Sequence, residues 1–252
     1  MVLCAGFGTR LGALTRRVPK PMLPLCGRPI LSYVIAHLRA CGFNEIGVNL
    51  HFNPDAVRGY FGDGSSLGVA MTYSDEAELL GTAGGIKKME LFLRQSDPFL
   101  VHYGDILTDQ DFTEMLAAHR QRRALVTLLL HQRARSNSVV TLDGESRIVG
   151  FLERPTEEAR SAAQSTWVNS GICLCSPEIL EHIPEGVFCD LPRDIFIKLV
   201  PTGRLFGVAL SGYRCAIDSP ERLEEAEAAL TQGRCKDSGR DAGLTAPPLQ
   251  LG

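Results

Sequence analysis

No hydrophobic run in this 252-residue sequence approaches the roughly 20 residues that a membrane-spanning helix needs. Charge of one sign is also in short supply. A net charge of −3 and an isoelectric point near 6.1 leave no electrostatic footprint for nucleic acid. The opening Met1-Val2-Leu3-Cys4-Ala5-Gly6 lacks the basic region and long apolar core of a signal peptide, so a cytoplasmic protein is expected. The eight cysteines include no C-x-x-C pair and no Cys/His cluster with zinc-ligand spacing. Most lie in apolar stretches such as Ile172-Cys173-Leu174-Cys175, where a free thiol behaves as a small hydrophobe. Internal repeats are absent, including any hexapeptide array of the left-handed β-helix kind. That removes one route to trimers and leaves the oligomeric state open.

What is present is an alternation of short apolar runs with helical patterns. Met1–Ala5 reads as a strand that starts abruptly, so a few residues are expected ahead of it. Pro29–Cys41 carries Ile30, Leu31, Val34, Ile35 and Leu38 at one-face helical spacing. Glu45–His51 reads as a strand, Pro54–Phe61 as a helix, Gly68–Tyr73 as a strand and Thr82–Gln95 as a helix. Phe99–Tyr103 is a short buried strand ending at Gly104-Asp105. A helix over 112–122 and an apolar strand over 124–131 follow. Such alternation implies βαβ units and a largely parallel sheet. Beyond residue 135 the rhythm changes. Ser138–Leu142 and Arg147–Glu153 flank a turn at Asp143-Gly144-Glu145, and strand-like Thr166–Cys175, a helix near 191–199 and strand-like 204–210 come next. Ser219-Pro220 opens the last clear helix with an N-cap and a first-turn proline. We expect a domain over 1–231, with halves of about 1–135 and 136–231, and a flexible tail over 232–252.

The most informative segment is Gly6-Phe7-Gly8-Thr9-Arg10-Leu11, continuing to Pro19-Lys20-Pro21-Met22-Leu23-Pro24. A strand that delivers a glycine loop lets backbone N–H groups approach phosphate oxygens without obstruction by Cβ. Arg10 offers a planar, permanently charged donor fork. Lys20 adds a second cation between two prolines that stiffen the chain. A polyphosphate with developing charge calls for such a set. The loop departs from two better-known patterns. Leu11 stands where a dinucleotide fold has its last glycine, which argues against an NAD-dependent dehydrogenase, and no Gly-Lys-Ser/Thr ending follows. Read alone, the segment is also consistent with a tight turn carrying solvated basic residues.

Gly6-x-Gly8-Thr9-Arg10-Leu11, Pro19-Lys20-Pro21-Met22-Leu23-Pro24 and Gly27-Arg28-Pro29-Ile30-Leu31 together resemble the signature of the sugar-1-phosphate nucleotidylyltransferases. Further landmarks fall in family order over about residues 1–230: Leu80-Gly81-Thr82-Ala83-Gly84-Gly85, Gly104-Asp105, Phe151-Leu152-Glu153-Arg154-Pro155 and Val168-Asn169-Ser170-Gly171-Ile172. The resemblance implies an α/β, Rossmann-like nucleotidyltransferase fold, with a mixed, mostly parallel sheet flanked by helices. It implies in-line attack of a sugar 1-phosphate on the α-phosphate of an NTP, with Mg2+ bridging phosphate oxygens. Arg10, Lys20 and Asp105 would then be catalytic. Arg10 would steady the β- and γ-phosphates, Lys20 would neutralise the α-phosphate, and Asp105 would hold the metal. Ala5, Gly6, Gly8, Thr9, Gly81, Thr82 and Gly84 would contact nucleotide, and Glu153 and Asn169 the sugar. Without the resemblance, blander readings stand beside these. Asp105 could cap a turn and Thr82 a helix. Glu153 could form a surface ion pair with Arg154, and Asn169 could serve a turn or edge.

One position breaks the pattern. The family motif aromatic-x-Asp-Ile-Gly-Thr-Pro-Glu is here Arg214-Cys215-Ala216-Ile217-Asp218-Ser219-Pro220-Glu221, so alanine replaces the second metal ligand. Asp218 could compensate, since residues 216 and 218 of an extended segment project to the same side, about 6–7 Å apart. Alternatively one carboxylate suffices, or turnover is lost and binding kept. The form of the loops looks closest to the mannose-1-phosphate guanylyltransferase branch. The expected partners are GTP with mannose 1-phosphate or a heptose phosphate. The same reaction with UTP or CTP and a catalytically silent nucleotide-sugar sensor are the competing readings. No nucleic-acid or membrane partner is expected.

Overall fold

The computed structural model describes residues 1–6, 8, 11, 12, 15 and 18–241. Its contacts divide the chain into two compact units that interleave along the sequence. A loop unit draws on residues 2–79, 103–111 and 211 onward. A central unit draws on residues 80–102 and 112–210, together with Met1.

In the loop unit, strands Val2–Leu3, Glu45–Leu50 and Ala70–Asp75 pair in parallel, in that order, with Val2 opposite Val48 and Val48 opposite Tyr73. The helix foreseen over 29–41 forms over Ile30–Ala40. The five apolar positions of the expected stripe are buried, and so are Tyr33, Ala36 and His37, so this helix is enclosed on more than one face. Strand Ile106–Thr108 pairs antiparallel with Arg214–Ala216. Helix Pro220–Thr231 starts as expected, with Ser219 Oγ accepting from Arg222 N at 3.4 Å. The core of this unit gathers Leu11, Leu23, Ile30, Leu107, Ile217 and Cys235, among others.

Cys235 belongs to the segment expected as a flexible tail, and here the structure differs. Cys235 is 2% exposed, the Lys236 amide donates to Asp109 Oδ2 at 3.0 Å, and Asp237 forms an ion pair with Arg28. Ser238–Asp241 is a short helix, with Ser238 Oγ 3.4 Å from His37 Nδ1. These anchors are single thiol and polar contacts, which leave no apolar period in the sequence. The rest of the expected tail, 242–252, lies outside the described residues.

In the central unit, strand Trp167–Cys175 pairs antiparallel with Phe99–Tyr103 and with Val126–Gln132. Leu205–Ala209 adds a strand parallel to Val126–Gln132. The hairpin Ser138–Leu142/Ile148–Glu153 forms where expected. Its turn is held by Asp143 Oδ1, which accepts the amides of Glu145 and Arg147 at 2.9 Å each, an arrangement open to a short acceptor side chain. Helices Gly81–Lys88 and Thr113–Arg122 complete an α/β layer arrangement. The expected single helix over Thr82–Gln95 is in fact two, because Met89 leaves helical geometry (φ −97°, ψ 18°) before Glu90–Leu93. The helix expected near 191–199 opens with a π-helical stretch, Leu191–Phe196, and only then tightens at Ile197–Leu199. Taken over both units, the chain is α/β with mixed strand pairing and flanking helices, the class the sequence implies.

Candidate functional site

The loop unit brings Gly8, Lys20 and Asp105 together. Ala5 is buried and Gly6 is exposed, and among the described residues, its chain neighbours aside, no atom lies within 4 Å of where a Gly6 Cβ would stand. Gly8 adopts φ +64°, and a Cβ there would lie 3.1 Å from both Lys20 Cβ and Thr15 Cγ2. The missing side chain therefore serves two needs, left-handed backbone and close passage of the lysine. Thr15 Oγ1 donates to the Gly8 carbonyl at 3.1 Å, and Leu11 N donates to the same oxygen at 2.9 Å. Lys20 opens a 3-10 turn, Lys20–Met22, whose Pro21 and Met22 are buried. That anchoring presents Lys20 Nζ to the carboxylate of Asp105, and the pair is hydrogen-bonded with side chains only 12% and 25% exposed. Thr9 and Arg10 lie outside the described residues.

Asp105 owes its place to its neighbours. Gly104 N donates to Leu3 O at 2.9 Å, and a Cβ at Gly104 would collide with Cys4 Sγ and approach Leu3 O to 3.0 Å. Only glycine lets this strand end lie against the strand that feeds the loop. On its other side, the Asp105 carbonyl accepts from Ile217 N at 2.8 Å, and Ala216 pairs with Ile106. The departure from the family pattern is thus adjacent to Asp105 in the ladder. The extended arrangement expected to let Asp218 stand in for that missing carboxylate is not found. Asp218 N donates to Ala216 O at 3.1 Å, closing a γ-turn, so the chain folds back where same-side projection was anticipated. Burial drives the Cys4 thiol pKa well above the usual range, and the Asp105 charge adds to it, so Cys4 stays neutral and serves as packing.

In the central unit the other expected residues form a second constellation. Glu153 lies opposite Ser138, and Ser138 Oγ accepts from Asn169 N at 2.9 Å, so one buried serine links the two sugar candidates. Asn169 Oδ1 in turn accepts from Gly171 N at 3.0 Å, within a register shift of its strand between Asn169 and Cys173, the kind of irregularity that re-aims a side chain. Glu153 is not an ordinary surface ion pair. Arg154 is 83% exposed and stands 4.0 Å away, whereas the Glu153 side chain is 15% exposed. Burial, reinforced by the charge of Asp190 and opposed by Arg154 and Arg193, lifts the Glu153 pKa from 4.5 to about 7.

Asp190 joins this group to the Gly81–Gly85 turn. Thr82 Oγ1 donates to Asp190 Oδ2 at 3.1 Å and accepts from Leu191 N at 2.6 Å. Thr82 therefore does not cap its own helix. The first helical amides of Ala83 and Gly84 donate instead to the Cys189 carbonyl at 2.9 and 3.1 Å. A Cβ at Gly84 would lie 2.9 Å from Val187 O, and one at Gly81 2.5 Å from Cys189 O. The close approach these glycines permit is made by the chain's own 187–191 segment. Sequence reasoning missed Ser138, Asp190 and the buried Asn49. A polar Asn49 inside the apolar run of Glu45–Leu50 was the available signal, since a buried amide must find partners.

Comparison with known proteins places the chain in a family. The family described as nucleotidyl transferase matches residues 1–194. The chain belongs to that family. Among curated nucleotidyl transferase relatives, a UTP–glucose-1-phosphate uridylyltransferase of Synechocystis is 36% identical over 220 residues, covering 82% of this chain and 56% of the relative. A mannose-1-phosphate guanylyltransferase of Mycobacterium tuberculosis is 33% identical over 241 residues, covering 92% and 64%. The chain thus spans less than two thirds of the length of either relative. Among solved structures, HddC from Yersinia pseudotuberculosis superposes with a TM-score of 0.76 at 22% identity, covering 90% of this chain and 96% of its own, and so shares the fold. Among the described residues, no helix is long and apolar enough to cross a membrane.

Proposed function

We propose that the protein transfers a nucleotidyl group from an NTP to a sugar 1-phosphate, giving a nucleotide-sugar and pyrophosphate. The observation that carries this reading is the shielded Lys20–Asp105 pair, with Gly8 of the glycine loop packed against Lys20, in a chain of the nucleotidyl transferase family. Lys20 has the charge and the anchored backbone to neutralise an α-phosphate as negative charge builds on it. Amides of the Ala5–Gly8 stretch would cradle phosphate oxygens, and Arg10, assigned from the sequence alone, would steady the β- and γ-phosphates. Glu153, poised near neutrality, would accept hydrogen bonds from sugar hydroxyls when ionised and donate one when protonated, with Asn169 as its neighbour across Ser138.

The donors present fit a magnesium ion shared with substrate. Magnesium is commonly held by one or two carboxylates, with phosphates and waters completing the octahedron. Asp105 is such a carboxylate, partly open beside the glycine loop. No group of three or more His, Cys, Asp or Glu able to hold a metal occurs among the described residues, so substrate oxygens would have to complete the site. Asp105 would hold the ion; Asp218, whose same-side projection is removed by the turn at Ala216, would not take the place of the missing second carboxylate. Bound there, magnesium supplies charge neutralisation to the phosphates. Before substrate arrives, Lys20 holds the Asp105 charge.

For the substrate pair we favour GTP with mannose 1-phosphate or a heptose phosphate, on the form of the loops. UTP with glucose 1-phosphate is the competing pair, supported by the printed activity of the Synechocystis relative. A second class of function, a silent nucleotide-sugar sensor, is favoured by Ala216. Pyrophosphate release across a panel of NTPs and sugar 1-phosphates decides among them. Release with one pair identifies both substrates. Nucleotide-sugar binding without release by any pair replaces the enzyme with the sensor.

A further inference from the structure

The strand that feeds the glycine loop stops pairing through its backbone at Leu3, which lies opposite Asn49. One residue later the chain must leave the sheet, and Cys4 N–H needs a partner because Cys4 is buried. The side chain of Asn49 provides it, with Cys4 N donating to Asn49 Oδ1 at 2.8 Å. Asn49 is itself 2% exposed, and its Nδ2 donates to Glu76 Oε1 at 2.7 Å. Glu76 is 3% exposed. Its main chain is secured at both ends, with Glu76 N donating to Leu50 O at 2.7 Å and His51 Nδ1 donating to Glu76 O at 2.7 Å.

A carboxamide has two ends of nearly the same shape and opposite polarity, and a half-turn of the group exchanges acceptor for donor. A donor aimed at Cys4 N–H would repel the loop's first amide. Glu76 Oε1 accepts from the Nδ2 end of Asn49, which leaves Oδ1 facing Cys4. We propose that Glu76 and Asn49 are positioning residues, a buried relay that fixes the departure of the loop at Cys4 and so sets affinity for the NTP phosphates. This rests on reading the loop as the NTP site. The relay reaches Asp105 as well, because the Cys4 thiol it steadies is the surface against which Gly104 packs.

The test is binding of GTP and UTP by calorimetry, beside amide exchange at Cys4 in labelled protein and the melting temperature. Glu76→Ala frees the Asn49 amide to turn, and we expect at least a tenfold loss of nucleotide affinity with faster Cys4 exchange. Glu76→Gln, whose carbonyl still accepts from Asn49, should bind within threefold of the unaltered protein. The double variant Asn49→Ala/Glu76→Ala should bind no more weakly than Asn49→Ala, because the two residues act in series. Glu76→Asp, which keeps the charge and shortens the reach, carries the same test if Glu76→Ala does not fold. Unchanged affinity and exchange in a folded Glu76→Ala protein, or losses that multiply in the double variant, overturn the relay. Nucleotide binding without pyrophosphate release overturns only the transfer reaction and leaves the relay supported or refuted on affinity. Failure of the unaltered protein to bind either nucleotide overturns both.

Discussion

Glu153 and Lys20 meet the same physical problem, charge held partly away from water, with opposite solutions. Lys20 has a carboxylate to pair with. Glu153 is buried, and has Asp190 rather than a close cation for a neighbour, so it resists ionising until about pH 7. A carboxyl whose folded pKa is raised binds its proton more tightly folded than unfolded. Its stabilising contribution is therefore present below the unfolded value near 4.5 and is lost as pH rises through 7. Glu153→Gln removes that loss. Thermal melts should show the variant gaining on the unaltered protein between pH 5 and pH 8, by about 1–3 kcal/mol. A difference that is flat with pH would count against the shift. For Lys20→Met we expect pyrophosphate release with the best substrate pair to fall by about 10²–10³-fold, as for loss of one group stabilising transition-state charge. A fall of less than threefold would remove Lys20 from the chemistry.

At the scale of elements, the Gly81–Lys88 helix borrows its N-terminal cap from another stretch of chain. Thr82 is the pin, since its hydroxyl serves both Leu191 N and Asp190. Thr82→Val keeps the shape and leaves the Leu191 amide without that acceptor. We expect a loss of about 1–3 kcal/mol, read from the urea midpoint. An unchanged midpoint would show that the hydroxyl is dispensable. Elements governed by local chemistry were legible beforehand. Pro54–Phe61, Phe99–Tyr103 and Ser138–Leu142 form with the foreseen limits, and Ser219 caps its helix. Part of what escaped was set by distant partners. The hold of Thr82 on Leu191 and the packing of Cys235 are contacts that periodicity does not encode, and nothing in the structure explains the break at Met89. The same holds for the site. Lys20, Asp105, Glu153 and Asn169 stood out through their motifs, whereas Ser138, Asp190, Asn49 and Glu76 are visible only through what they touch.

Across the whole molecule, two buried histidines give the fold an acid limit. His119 sits between Thr127 Oγ1 at 2.9 Å and Ser176 Oγ at 3.2 Å, and burial lowers its pKa to about 4. His37 is shifted in the same direction, chiefly by burial. A histidine held neutral contributes stability in full above the unfolded value of 6.5, and that stability drains away as pH falls toward 4. Melting temperature should therefore drop between pH 6.5 and 4, and His119→Asn should flatten that slope. An unaltered slope would mean that His119 titrates normally. The composition of the loop-unit core bears on how the protein is made. Leu11 and Leu23 share that core with Ile217 and Cys235. On a ribosome, the earliest residues of this cluster emerge long before the last. Until residue 235 has left the exit tunnel, Leu11 and Leu23 lack part of their packing, and the nascent chain must shelter an unfinished apolar surface for most of its synthesis.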